Sequence, residues 1–143
     1  MSTKGNYLSL YYHIVFSTKG RKLLIYPEIQ KRLDAYIQKC SKEGVYSVIN
    51  VNGTRDHIHI LLTVYSSDFI LSHFVREIKK STNKFLNSEG NMDANFSWQE
   101  GYFASTVSRR DVDAIRLYIE RQKEHHGKFD FDKELAIIFG LNE

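Results

Sequence analysis

The chain has 143 residues, of which 42% are hydrophobic, 26% charged and 13% aromatic. That is enough apolar material for one packed domain spanning 1–143, and it excludes a disordered or linker-dominated chain. Lysine and arginine number 20 against 17 aspartates and glutamates, so the formal charge of +3 permits a polyanionic partner without demanding one. The single cysteine, Cys40, rules out an intramolecular disulfide, the start MSTKGNYLSL lacks a secretory pattern, and no run approaches a membrane span. The setting these features predict is a reducing cytoplasm.

Leu8 to Phe16 alternates as a strand, with Leu8, Leu10, Tyr12, Ile14 and Phe16 on one face and Ser9, Tyr11, His13 and Val15 on the other. Pro27 opens a helix predicted to reach about Lys42, whose core stripe is Ile29, Leu33, Tyr36, Ile37 and Cys40, with Gly44 as its stop. VYSVINVN and HIHILLTVY read as an antiparallel hairpin around Asn52-Gly53. Ser66, Ser67 and Asp68 offer an N-cap for a helix carrying Ile70, Leu71, Phe74, Val75, Ile78, Phe85 and Leu86 as far as Asn87. A fourth strand is predicted over Tyr102 to Val107. Ser108 and Asp111 then form a capping box for a helix through about Glu124. Phe131, Leu135, Ile138 and Phe139 suggest a short terminal helix docked on the body or on a partner. The order predicts an α+β, ferredoxin-like antiparallel sheet with two helices on one face and the other face open.

His57 and His59 are two residues apart in a strand, so both point away from the apolar face formed by Ile58, Ile60, Leu62 and Val64. Two neutral imidazoles side by side can bind one divalent cation, but the same spacing also fits a merely polar strand face. A third ligand is needed. Tyr118 and Gln122, four apart on the late helix, could place a phenol beside an amide carbonyl that reaches the metal. On this helix alone they read more simply as a rim-of-core aromatic and a solvated polar residue. Asp56 is read as a turn residue pointing to the opposite side from His57, and Cys40 as a core residue. His125 and His126 read as cations at a helix end, and Trp98 to Tyr102 as an aromatic anchor at a strand entrance. His13 shares a face with Tyr11, in a structural or substrate-contacting role. Three basic groups could track phosphates or simply be solvated: Lys19, Arg21 and Lys22; Arg76, Lys79, Lys80 and Lys84; and Arg109, Arg110 and Arg116. No GxxxxGK[ST] loop is present.

The triplet His57-Ile58-His59, the Tyr118-x-x-x-Gln122 spacing, the opening YYHIVFSTKGR and Trp98-Gln99-Glu100-Gly101-Tyr102, taken in order, resemble the single-tyrosine HUH transposases of the smallest bacterial insertion sequences, the IS200-like family. The resemblance runs from about Tyr7 to Leu141. It implies cleavage and rejoining of single-stranded DNA, with Tyr118 as the nucleophile that forms a 5′-phosphotyrosine link and leaves a 3′-hydroxyl. It further implies a catalytic tyrosine helix at the open sheet face, and a divalent cation, Mg2+ or Mn2+, on His57, His59 and Gln122. The partner it implies is a single strand folded into a hairpin at the element's end, contacted by some of Tyr11, His13 and the basic groups. The protein would be a homodimer in which the tyrosine helix of one subunit can complete the histidine site of the other. Two other readings are a domesticated relative that processes repeated extragenic palindromes, and a non-catalytic module binding RNA or single-stranded DNA on the open sheet. The lack of an RNP1-like stretch counts against the module.

Overall fold

The computed structural model describes residues 6–89, 96–122 and 131–139. Eight elements follow in order: β1 (Leu10–Ser17), α1 (Pro27–Gln38), β2 (Tyr46–Gly53), β3 (His57–Val64), α2 (Leu71–Glu89), β4 (Phe103–Thr106), α3 (Val112–Glu120) and α4 (Phe131–Phe139). The sheet order is β2-β3-β1-β4 and every pairing is antiparallel. This is the predicted ferredoxin-like arrangement.

The alternation of β1 and β3 builds the main core. Ile14, Phe16, Ile58, Ile60 and Leu62 face α1 and α2, where Leu33, Ile37, Phe74, Val75, Ile78 and Leu86 meet them. Trp98 closes one end of this layer, edge-on to Phe16 and Phe96, and its indole nitrogen donates to Thr82 Oγ1 (2.9 Å). The anchoring role expected of that segment is what the structure shows. Its other polar groups are also engaged, since the Gly20 amide donates to Gln99 Oε1 (3.0 Å).

Several boundaries differ from those predicted. α1 ends at Gln38 rather than near Lys42, because Lys42 and Tyr46 already pair as a bridge and Gly44, at φ +77, makes the turn between them. Gly44 therefore turns the chain into β2 and does not cap the helix. The Ser108 hydroxyl does reach Asp111, donating to its Oδ2 at 2.8 Å, but the turn it closes is a 3-10 turn over Arg109–Asp111 that precedes α3. In the hairpin, Asn52 and Gly53 are strand residues and the loop is Thr54 to Asp56. Gly53 is required by close approach, since a Cβ there would lie 2.2 Å from the His57 carbonyl oxygen.

The opposite face of the sheet is not open. α3 packs across β2 and β3, while α4 meets β4 and buries Phe131 and Leu135 against Val15. β3 is consequently buried along its whole length, on both faces. The terminal helix docks on the body of its own chain, one of the two places expected for it. His125 and His126 fall outside the described residues.

Candidate active site

Strand alternation places His57 and His59 on the face covered by α3 and α4, both at 0% exposure. Each ring is held from behind through Nδ1. For His57 the partners are Asp56 Oδ1 (2.8 Å) and Thr54 Oγ1 (3.0 Å); for His59 the partner is His13 Nε2 (2.8 Å). Both rings therefore present Nε2 to the same point. This corrects the reading of Asp56. It precedes the first strand residue, so strand alternation does not govern it, and its carboxylate curls back to orient His57. Of the two roles expected of His13, the structural one is what its position shows. It is completely buried beside His59, with ring centroids 5.0 Å apart, and supports that ring instead of offering a surface for DNA.

Electrostatics differ across the three imidazoles. Burial, reinforced by neighbouring His59 and opposed by Glu134, lowers the pKa of His13 to about 3, so it is neutral. For His57 burial pulls the same way, but hydrogen bonds and charge from Asp56 and Glu134 outweigh it and raise the pKa.

Tyr118 lies on α3, and two asparagines of β2 fasten that helix to the histidine sheet. Asn52 Nδ2 donates to the carbonyls of Ile119 (3.0 Å) and Glu120 (3.2 Å), and Asn50 Nδ2 to that of Arg116 (3.2 Å). Carbonyls at a helix C-terminus lack intrahelical partners, so side-chain amides satisfy them well. Asn52 is also the register partner of His59. The phenol ring sits 6.0 Å from that of His59, and the hydroxyl donates to Glu134 Oε2. Burial, followed by the hydrogen bond and charge of Glu134, raises the Tyr118 pKa against an opposing contribution from Gln122, so the side chain is a phenol. Helix geometry stops at Arg121 (φ −102, ψ 28), and Gln122 follows it, fully buried beside Tyr118.

Glu134 is the residue that sequence reasoning missed. Fully buried on α4, it directs Oε1 to His57 Nε2 (3.0 Å) and His59 Nε2 (3.4 Å) and Oε2 to Tyr118. Phe131, three residues earlier, stacks on the His57 ring (4.1 Å, 23°) and sets the helix at this depth. The three side chains offer one ligand atom each, all within 4.8 Å of one another, so His57, His59 and Glu134 could hold a metal ion. The donor set fits a divalent cation. Two ring-oriented imidazoles and a buried carboxylate are otherwise costly to bring together. Gln122, fully buried, offers a further oxygen donor four residues after Tyr118.

Residues 6–122 match the family model described as "Transposase IS200 like". The chain belongs to the IS200-like transposase family. Two transposases for insertion sequence element IS200, from Salmonella typhimurium strain LT2 and from Salmonella typhi, are each 26% identical over 118 residues, covering 79% of this chain and 76% of theirs. Among solved structures, a candidate transposase from Deinococcus radiodurans R1 matches with a TM-score of 0.67 at 20% identity, over 85% of this chain and 97% of that one. A REP-associated tyrosine transposase bound to a REP hairpin matches with a TM-score of 0.61 at 16% identity, over 90% of this chain and 76% of that one. Membership of the IS200-like family makes the chain a DNA-processing enzyme.

For a member of this family the basic residues matter, and they fall into unlike settings. Lys19, Arg21 and Lys22 follow β1 at the end of the sheet where Ser17 pairs with His57, and all three are exposed. Arg21 is already engaged: it bonds Asp132 of α4 at 2.6 Å and lies 4.9 Å over the Phe131 ring. Arg76, Lys80 and Lys84 are exposed on α2, which covers the sheet face away from the histidines. Lys79 is directed elsewhere. Its ammonium donates to the carbonyls of Gln99 (2.7 Å) and Gly101 (2.6 Å), and burial lowers its pKa, so it ties α2 to the Trp98 segment. Arg109 and Arg110 are exposed before α3, and Arg116 approaches Asp113 at 3.7 Å. Tyr11 is half-buried at the start of β1, 3.4 Å from Ser9. No helix among the described residues is long and apolar enough to cross a membrane.

Proposed function

We propose that this chain cleaves and rejoins single-stranded DNA at insertion-sequence ends in the cytoplasm, through Tyr118 and with a divalent cation, Mg2+ or Mn2+. The observation that carries the reading is the meeting of the Tyr118 hydroxyl and the Nε2 atoms of His57 and His59 on the two oxygens of one carboxylate. A phenol beside a paired-histidine cation site is what attack on a phosphodiester requires.

The Tyr118 oxygen bonds to phosphorus as the bond from phosphorus to the 3′ oxygen breaks, which leaves a 5′-phosphotyrosine and a 3′-hydroxyl. The asparagine contacts hold the helix that carries the phenol, and the complete burial of His57, His59 and Glu134 beside it limits bulk water around the phosphoryl group. His57 and His59, with Glu134 or Gln122, are the residues that would hold the cation. Bound there, it would polarise a non-bridging phosphate oxygen. Asp56 and His13 fix the direction in which the two imidazoles donate. Lys19, Lys22, Arg109 and Arg110, all exposed, would contact the strand's phosphates, and the exposed cations of α2 would contact a hairpin on the far side. A homodimer is the assembly the family resemblance suggests.

The test is a single-stranded oligonucleotide carrying an element end, incubated with manganese and resolved under denaturing conditions. A covalent protein–DNA adduct is expected, absent in Tyr118→Phe and strongly reduced in His57→Ala or with a chelator. An adduct that persists in Tyr118→Phe rejects the nucleophile. The fold shared with a transposase bound to a REP hairpin supports a second reading of the substrate, processing of extragenic palindromes by the same chemistry. Cleavage of palindrome hairpins in preference to element ends would select it.

A further inference from the structure

Glu134 is, among the described residues, the one Asp, Glu, Lys or Arg that is fully buried. Burying a carboxylate is costly unless its oxygens are bonded, and here the two oxygens are divided between different tasks. Oε1 faces the histidine pair, whereas Oε2 accepts the hydrogen of the Tyr118 hydroxyl. The carboxylate is not there by accident of a loose terminus. Phe131 and Leu135 are buried against Val15, and the stacking of Phe131 on His57 fixes the turn of α4 from which Glu134 projects.

We propose that Glu134 is a catalytic residue, the base that takes the proton of Tyr118 as its oxygen attacks phosphorus. This rests on the reading of Tyr118 as nucleophile given above. The oxygen–phosphorus bond forms, the bond to the 3′ oxygen breaks, the phenol proton passes to Glu134 Oε2, and the departing 3′ oxygen, on the opposite side of phosphorus, takes a proton from water while Glu134 later releases its own to solvent. No proton is gained or lost overall, and rejoining runs the same transfers in reverse. The neighbours offer no better acceptor. His57 and His59 turn Nδ1 to Asp56 and His13 and direct Nε2 to Glu134 rather than to the phenol, and the Gln122 amide is not a base.

Glu134→Gln preserves shape and an oxygen ligand but cannot accept the proton. With manganese saturating, as established by calorimetry on the protein without DNA, single-turnover cleavage is expected to fall by about 10²–10⁴-fold in Glu134→Gln. Formate is expected to restore a concentration-dependent part of the rate in Glu134→Ala. Cleavage by Glu134→Gln within about threefold of wild type overturns the proposal. So does a Glu134→Ala protein that is faster than wild type, which would mark the carboxylate as an occupant of the phosphate position. The parent reading fails separately, and this one with it, if the wild-type protein forms no Tyr118 adduct.

Discussion

Each imidazole of the pair is aimed by a different neighbour, one charged and one neutral. Asp56 and Thr54 hold His57, and neutral His13 holds His59. A carboxylate behind a ligating histidine both orients the ring and raises its basicity, so Asp56→Asn is expected to weaken manganese binding by about 10–100-fold with little loss of folding stability. Calorimetric titration of the two proteins checks it. His13 makes a pH prediction for the chelator-treated protein. Its pKa is about 3 in the fold against 6.5 for an ordinary histidine, so between those values the unfolded chain binds a proton that the folded chain refuses. Stability from this group is full above about 6.5 and is lost as pH falls towards 3, the opposite of His57, whose raised pKa makes its contribution fade as pH rises. The stability advantage of wild type over His13→Gln, measured by denaturant melts, should therefore shrink from pH 7 to pH 4. The paired histidines were legible at this scale because strand alternation is rigid. Asp56 was not, since its direction is set by a turn, where alternation does not operate.

Among the described residues, hydrophobic periodicity located the four helices and the four strands, and turn chemistry accounts for the boundaries that moved. The Asn52-Gly53 signal marked a genuine hairpin while concealing what both residues do. Gly53 leaves room for the His57 backbone, and Asn52 holds the end of α3. Gly53→Ala places a Cβ against backbone that cannot swing aside, so a loss of about 1–3 kcal/mol is expected in chemical denaturation. Asn52→Ala removes hydrogen bonds worth about 1 kcal/mol in stability. Because the helix it releases carries Tyr118, kcat for cleavage should fall further than affinity for the oligonucleotide. Glu134 was written in the sequence in a form that was passed over. Phe131, Glu134, Leu135 and Ile138 follow the i, i+3, i+4, i+7 spacing of one helical face, and an acid in the middle of an otherwise apolar stripe needs a partner inside the protein.

For the molecule as a whole, the packing has three layers, with the tyrosine helix on the sheet face where it was expected and the terminal helix beside it. α1 and α2 lie below the sheet and α3 and α4 above it, with the histidine site in the upper layer. A cation drawing together β3 and α4 would bind the folded chain and not the unfolded one. At a hundred times its dissociation constant, manganese should stabilise the protein by about 2.7 kcal/mol, which for a chain of this size raises the melting temperature by about 5–10 °C. The shift should vanish in a His57→Ala, His59→Ala double variant, and an undiminished shift would place the binding elsewhere.

The asparagine contacts between β2 and α3 bear on inheritance as well as on geometry. Asn50 and Asn52 fasten the helix that carries Tyr118 over His57 and His59 of the same polypeptide, and a centre completed within one chain is the outcome this packing leads us to expect. A cell carrying one copy with Tyr118→Phe and another with His57→Ala should then be as inactive as either alone, and purified mixtures of the two proteins should form no adduct. Recovery of activity on mixing would mean that the helix exchanges between chains. If it does not, one damaging mutation silences only the copy that bears it, and intact copies beside it continue to function.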